Sequence, residues 1–375
     1  MINQERLVRT FLDLVKINSP SKCERGVADY LRPRLEEIGF QVREDDAGQK
    51  IGGDAGNLIA TRKGPLQSGI RIFLAAHMDT VEPTEGLEPV VTDDGMIRAD
   101  GKTVLGADCK AGIAAILEAA RVVTEQKIPF RSLQIVFTVA EEIGLLGAKQ
   151  IGPGEIQADL GYVFDTEKPV AGIVVSAPSH ENLLVKVFGK AAHAGIHPED
   201  GVSAIVAASR ALANMNLGRI DPETTANVGV IQGGKARNMI PDEVEVQAEA
   251  RSRSEQKLAA QVEHMVRTFH DAAKDVGAGI DIEIEREYTT YRWKPQDAPV
   301  ELAQRAARAI GIEPVLMEGG GGSDANILNE KGISAVVIGV GYEGPHSRDE
   351  RVSVLELAKT AEFAVSLVQE SGVRS

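Results

Sequence analysis

The sequence predicts an α/β protein with a mostly parallel sheet flanked by helices, interrupted by an inserted smaller α+β unit of ferredoxin-like order. Three observations predict it. Short apolar runs alternate with helical patterns in the first half and in the C-terminal quarter. The stretch 179–288 switches to strands of alternating polarity. The 375 residues also exceed the roughly 250–300 at which a single core stops growing.

RIFLAA (71–76), LQIVFTVA (133–140), LGYVF (160–164) and ISAVVIGV (333–340) are short and apolar without interruption. Such runs suit strands buried on both faces, as in a parallel sheet. Helical patterns at 111–125 and 355–370 lie between and after them, which completes the alternation of an α/β domain. In the middle stretch, ENLLVKVFG is followed by a helical segment from Gly201 to Met215. TANVGVIQG and DEVEVQAEA then read as strands, Glu255 to Val276 as a second helix, and DIEIERE as a last strand. That order is β-α-β-β-α-β, the split unit of ferredoxin-like folds. The predicted division is therefore a discontinuous domain over 1–178 and 289–375, with the inserted domain over 179–288.

The formal net charge of −14 opposes a nucleic-acid partner or an anionic membrane surface, since both need a basic footprint. Cys23 and Cys109 are too few for a disulfide framework or a thiolate-rich zinc site, which predicts a reduced, cytoplasmic setting. The N-terminal MINQERLVRTFLDLVKI spreads its charges through an amphipathic helical pattern and does not read as a secretory signal.

In an open α/β sheet, ligands bind beyond the carboxyl ends of the strands. RIFLAA runs into His77-Met78-Asp79, LQIVFTVA into Glu141-Glu142, and LGYVF into Asp165. ISAVVIGV leads through a glycine-rich turn to His346, and Asp108 stands where the 111–125 helix begins. Taken singly, each is an ordinary solvated loop residue. Together they demand a cation, because two like charges ~4 Å apart repel by about 4 kcal/mol at an effective dielectric of 20. Two divalent ions balance Asp108, Glu142, Asp165 and a hydroxide. Imidazole with carboxylate selects zinc, cobalt or manganese, and the lack of thiolate ligands removes a structural zinc site. The predicted ligation puts His77 and Asp165 on one ion, Glu142 and His346 on the other, and Asp108 between them. Asp79 is placed to accept the second ring N–H of His77. Glu141 is then the unused carboxylate, as a general base requires.

His77-Met78-Asp79-Thr80-Val81, Leu105-Gly106-Ala107-Asp108-Cys109-Lys110-Ala111-Gly112 and Glu141-Glu142-Ile143-Gly144 resemble the signature segments of a co-catalytic zinc peptidase family. That family includes peptidase T, bacterial glutamate carboxypeptidase, aminoacylase and succinyl-diaminopimelate desuccinylase. The resemblance covers essentially the whole chain. Glu24–Leu31, Gly320–Asn326 and the aromatic 288–291 region are most similar to its peptidase T-like, tripeptide aminopeptidase-like members. It implies amide hydrolysis with Asp79 and Glu141 as catalytic acids, the five ligands above, and a cis peptide at Asp108-Cys109. It also implies a homodimer through the inserted domain, with His193 reaching a substrate carbonyl. Asn227, Arg251, Gly321 and Ser323 are implied to contact substrate, and an arginine is apt for a carboxylate.

Other motifs are weaker. His180-Glu181 lacks the second histidine of a single-zinc helix, because residue 184 is Leu. Gly95…Gly101-Lys102-Thr103 has five residues between its glycines where a phosphate loop has four. Cys109 beside the bridging Asp108 is a poor nucleophile, since a neighbouring anion raises a thiol pKa. The expected substrate is a short peptide cut by an aminopeptidase or tripeptidase, with an N-acyl-amino-acid deacylase or a carboxypeptidase of the same family as the alternative. A non-catalytic metal-binding scaffold is the reading from a different class, and it predicts a missing ligand or base where none is missing.

Overall fold

The computed structural model describes residues 1–373 and divides into two compact units. One comprises Met1–Val175, Arg292–Glu318 and the chain from Ser323 onward; the other comprises Ser176–Tyr291 and Gly319–Gly322.

The first unit is built on a nine-stranded sheet. Its centre is four parallel strands, in spatial order Ser132–Thr138, Ile72–His77, Leu160–Thr166 and Ala335–Gly339. Leu58–Lys63 and Gly172–Ala177 join this centre antiparallel on either side. The apolar runs form these central strands, and Ile72–His77 is buried at every position. Helix Ala107–Glu125 packs on that strand and against helices Gln4–Val15 and Val354–Gly372. Its close approach needs Gly112, where a Cβ would lie 2.5 Å from the carbonyl oxygen of Phe164. Asn3 and Ser353 cap two of these helices through side-chain oxygens that accept backbone N–H groups. Four parallel strands share one carboxyl edge, and the chain leaves each of them there.

The second unit is a five-stranded antiparallel sheet with two helices, Ala204–Ala213 and Glu255–Val276, on one face. Strands Thr224–Gly233, Glu243–Ser252, Ser179–Phe188 and Gly279–Tyr288 lie side by side in the ferredoxin-like order. Leu183, Val185, Val187, Val244 and Val246 fill the layer under the helices. A fifth, short edge strand, Gly218–Asp221, was not expected. Gly319–Gly322 also group with this unit, away from the discontinuous domain to which the sequence reading assigned them. The Gly319 N–H bonds the Ser176 carbonyl at 2.7 Å, and Gly322 lies so close to the Tyr288 ring that a Cβ would sit 2.3 Å from it.

Candidate metal centre

His77 is the last residue of its strand, and Asp165 the last but one of Leu160–Thr166. Glu141 and Glu142 stand on the turn after Ser132–Thr138. Asp108 lies in the first turn of Ala107–Glu125, held out of helical geometry at φ −79° and ψ 104°, and the Asp108–Cys109 peptide is cis. His346 adopts a left-handed backbone, φ 60°, on the loop before strand Arg351–Ser353.

The five expected ligands come together. His77 Nε2 lies 3.2 Å from Asp108 Oδ1 and 3.3 Å from Asp165 Oδ1. His346 Nε2 lies 3.4 Å from Asp108 Oδ2 and 3.0 Å from Glu142 Oε2. Asp108 thus offers one oxygen to each histidine. Ligand atoms of His77, Asp108 and Asp165 fall within 4.8 Å of one another, as do those of Asp108, Glu142 and His346. Among the described residues Glu142 Oε1 is buried without a hydrogen-bond partner, an orphaned acceptor of the kind a cation satisfies. Oxygen and imidazole donors in two groups sharing one carboxylate fit two divalent ions. Cys109 lies beside the first group, but its thiol donates to the Phe164 carbonyl. Burial and the charge of Asp165 push that thiol well up, so it stays protonated.

The electrostatics carry the strain of gathered acids. Burial pushes Asp165 up to about 7 and, with the charge of Asp165, raises Glu141 well above the carboxylate range. Burial would raise Asp108 too, but bonds from His346 and His77 hold it below the usual range. Bonds to Asp108 and Glu142 push His346 up to about 10.

Asp79 departs from its expected contact. The ring Nδ1 of His77 meets the backbone carbonyl of Asp79 at 2.8 Å, while the nearer carboxylate oxygen is at 3.5 Å. The carboxylate is occupied elsewhere: it accepts the N–H groups of Glu141 and Glu142 at 3.0 and 3.1 Å and the Ser21 hydroxyl at 2.6 Å. The carboxylate of Glu141 has no hydrogen-bond partner among the described residues.

Asp324 is a buried acid at this edge that the sequence reading passed over. Thr138 donates to its Oδ2 at 2.5 Å, its Oδ1 is unpartnered, and burial pushes it up to about 6. Ser323 precedes it as the cap of helix Asp324–Glu330, accepting the Ala325 N–H.

The remaining expected site residues lie in the second unit. Asn227 and Arg251 sit on adjacent strands, on the sheet face opposite the helices. Arg251 Nη2 bonds Glu249 at 2.8 Å, its Nε is buried without a partner, and its Nη1 approaches Gly321. His180, which the sequence reading discounted, pairs with the same Glu249 at 3.0 Å. His193 is exposed on a loop, where its Nδ1 accepts the Gly195 N–H at 3.2 Å. The neutral ring then carries its proton on Nε2.

Residues 73–370 match peptidase family M20/M25/M40. The crystal structure of aminopeptidase PepT from Bacillus cereus ATCC 10987 aligns with a TM-score of 0.91 and 44% identity, covering 99% of each chain. That of a tripeptidase from Staphylococcus aureus subsp. aureus Mu50 aligns with a TM-score of 0.94 and 40% identity over 98% of each. The acetylornithine deacetylase of Myxococcus xanthus is 31% identical over 376 residues, spanning 93% of each chain.

Proposed function

The chain belongs to peptidase family M20/M25/M40, and on that footing we propose that it is a dinuclear metallo-aminopeptidase releasing residues from short peptides, tripeptides foremost. The observation that carries this reading is Glu141. It stands beside Glu142 with its carboxylate within 4.8 Å of His77 and Glu142 donor atoms, and among the described residues no group donates a hydrogen bond to it. Aminopeptidase and tripeptidase neighbours at 44% and 40% identity support the substrate class.

His77 and Asp165 would hold one ion and Glu142 and His346 the other, with Asp108 offering an oxygen to each group; zinc is the proposed metal, with cobalt or manganese as substitutes. Two such ions, when bound, would supply Lewis-acid polarisation of the scissile carbonyl and lower the pKa of the attacking water. Glu141 takes a proton from that water on a carboxylate oxygen as the water attacks the carbonyl carbon. It returns the proton to the leaving nitrogen as the C–N bond breaks. Asp79, which the family resemblance implies as a second catalytic residue, is proposed to act by holding the turn that carries Glu141. The Nε2–H of His193 donates to the developing oxyanion. Asn227, Arg251, Gly321 and Ser323 contact the substrate, Arg251 taking its carboxylate.

The 31% identity to an acetylornithine deacetylase favours a second reading, removal of an N-acyl group from an amino acid. A panel of tri- and dipeptides against N-acetyl and N-succinyl amino acids, on protein of measured metal content, separates the two. Preference for acyl substrates overturns the peptidase reading. The protein is proposed to be a homodimer through the inserted unit, supported there by exposed Ile205, Val206, Val230 and Ile231. A fully active monomer in sedimentation refutes this. Two free cysteines support a cytoplasmic setting. Among the described residues no helix is long and apolar enough to cross a membrane.

A further inference from the structure

The loop carrying Asp108 and the loop carrying His346 are tied by one side chain. Glu350 is 2% exposed, and its partners are backbone amides: Oε2 accepts the Gly106 N–H at 2.7 Å and Oε1 the Asp108 N–H at 2.9 Å. Gly106 adopts a left-handed φ of 73°, and Asp108 follows it outside helical geometry. The first turn of a helix leaves its N–H groups without intrahelical partners, so an acceptor must be imported. Here it comes from a residue 242 positions away in the chain.

The backbone around Glu350 completes the loop of His346. Glu343 and Arg351 exchange two backbone hydrogen bonds, at 2.8 and 3.0 Å, and an ion pair at 2.6 Å, which closes residues 344–350 into a loop. The Glu350 N–H bonds the Ser347 carbonyl at 3.2 Å inside it. Its side chain thus holds the Asp108 backbone while its main chain is part of the structure presenting His346.

We infer that Glu350 is a positioning residue for the metal centre, setting Asp108 and His346 at the spacing that the Asp108–Glu142–His346 ion requires. This rests on the proposed reading of Asp108 and His346 as metal ligands. Glu350 belongs to none of the clusters of candidate ligand atoms. It acts through two amides, and Gln in its place keeps one acceptor while turning an N–H₂ toward the other amide. Ala leaves both amides unpaired in a buried site.

The test is cobalt titration of metal-free protein, read by the visible absorption of bound Co²⁺, for the parent, Glu350→Gln and Glu350→Ala. Circular dichroism of each metal-free protein establishes folding. The expected result is two binding steps in the parent, with one of them weakened about tenfold or more in Glu350→Gln, further in Glu350→Ala, and the other retained. Turnover of Glu350→Gln falls in kcat with KM nearly unchanged. It recovers when cobalt is raised to saturation, which a general loss of stability does not produce. Two unaltered cobalt affinities in folded Glu350→Gln overturn the inference. Because the titration needs no substrate, a parent that binds two ions but cleaves no peptide counts against the peptidase reading and leaves this one standing.

Discussion

Asp79 accepts the backbone N–H of Glu141 on Oδ1 at 3.0 Å, from a side chain with no exposed surface. Oδ2 receives the next amide, that of Glu142, so one carboxylate fixes the turn presenting both the proposed base and a proposed ligand. Asp79→Asn leaves one carbonyl oxygen and turns an N–H₂ toward an N–H. Turnover is expected to fall about 10–100-fold, the usual effect of removing a group that orients metal-site residues. Steady-state kinetics on folded, metal-replete protein checks this, and a kcat within twofold of the parent counts against it.

Glu141→Gln removes the proton acceptor while keeping the shape of the side chain. General acid–base catalysis contributes about 10²–10⁴-fold, so kcat is expected to drop by that order. Metal content should stay at two ions, because the five proposed ligands are untouched. Atomic absorption on the same preparation separates loss of a base from loss of a ligand; a variant that loses an ion as well makes Glu141 a ligand.

How much of this was visible beforehand depended on how far each signal reached along the chain. The four central strands announced themselves because burial on both faces leaves an uninterrupted apolar run, and helix Glu255–Val276 because its apolar stripe has a helical period. Gly218–Asp221 carries Arg and Asp within four residues, too short and polar for any periodicity to show. Gly319–Gly322 needed knowledge of Tyr288 and Ser176, which only the folded chain supplies. At the site, residue types at strand ends pointed to the five proposed ligands, which the fold brings together. The partners of Asp79 went unread because a carboxylate two residues from a histidine can meet either its ring or the amides of a distant turn. Asp324 was missed for a related reason: its loop drew notice for glycines, and only its bond from Thr138 places it among the other acids.

Stripping the metals should make stability strongly dependent on pH. In the ion-free cluster His346 is raised to about 10 and His77 is also raised, both above their ordinary 6.5. A histidine whose folded pKa is raised contributes stability that is complete below about 6.5 and lost as pH rises through the folded value. Asp165 acts in the same direction, since an acid raised by burial to about 7 favours the folded state less as pH climbs from about 4 to 7. Chelator-treated protein is therefore expected to melt progressively lower from pH 6 to pH 10. The metal-loaded enzyme should stay nearly flat there, because its ligands are already deprotonated. Parallel melting curves for the two forms would falsify this account.

Glu24 gives a second pH effect. It is fully buried; Oε1 accepts the Lys22 and Ala140 N–H groups at 2.8 and 2.9 Å, and Oε2 has no partner. Burial, helped by the charge of Asp79, pushes its carboxyl up to about 7 from 4.5. Below about pH 4.5 it is protonated in both folded and unfolded chains and costs nothing. As pH rises toward 7 only the unfolded chain ionises freely, so the folded state loses ground, by at most about 3 kcal/mol. Glu24→Gln keeps the Oε1 acceptor and cannot ionise. Its stability relative to the parent should increase steadily between pH 4.5 and 7 and then level off. Urea unfolding midpoints across pH 4.5 to 8 measure that difference directly, and a constant offset between the two proteins would mean that Glu24 is not the titrating group.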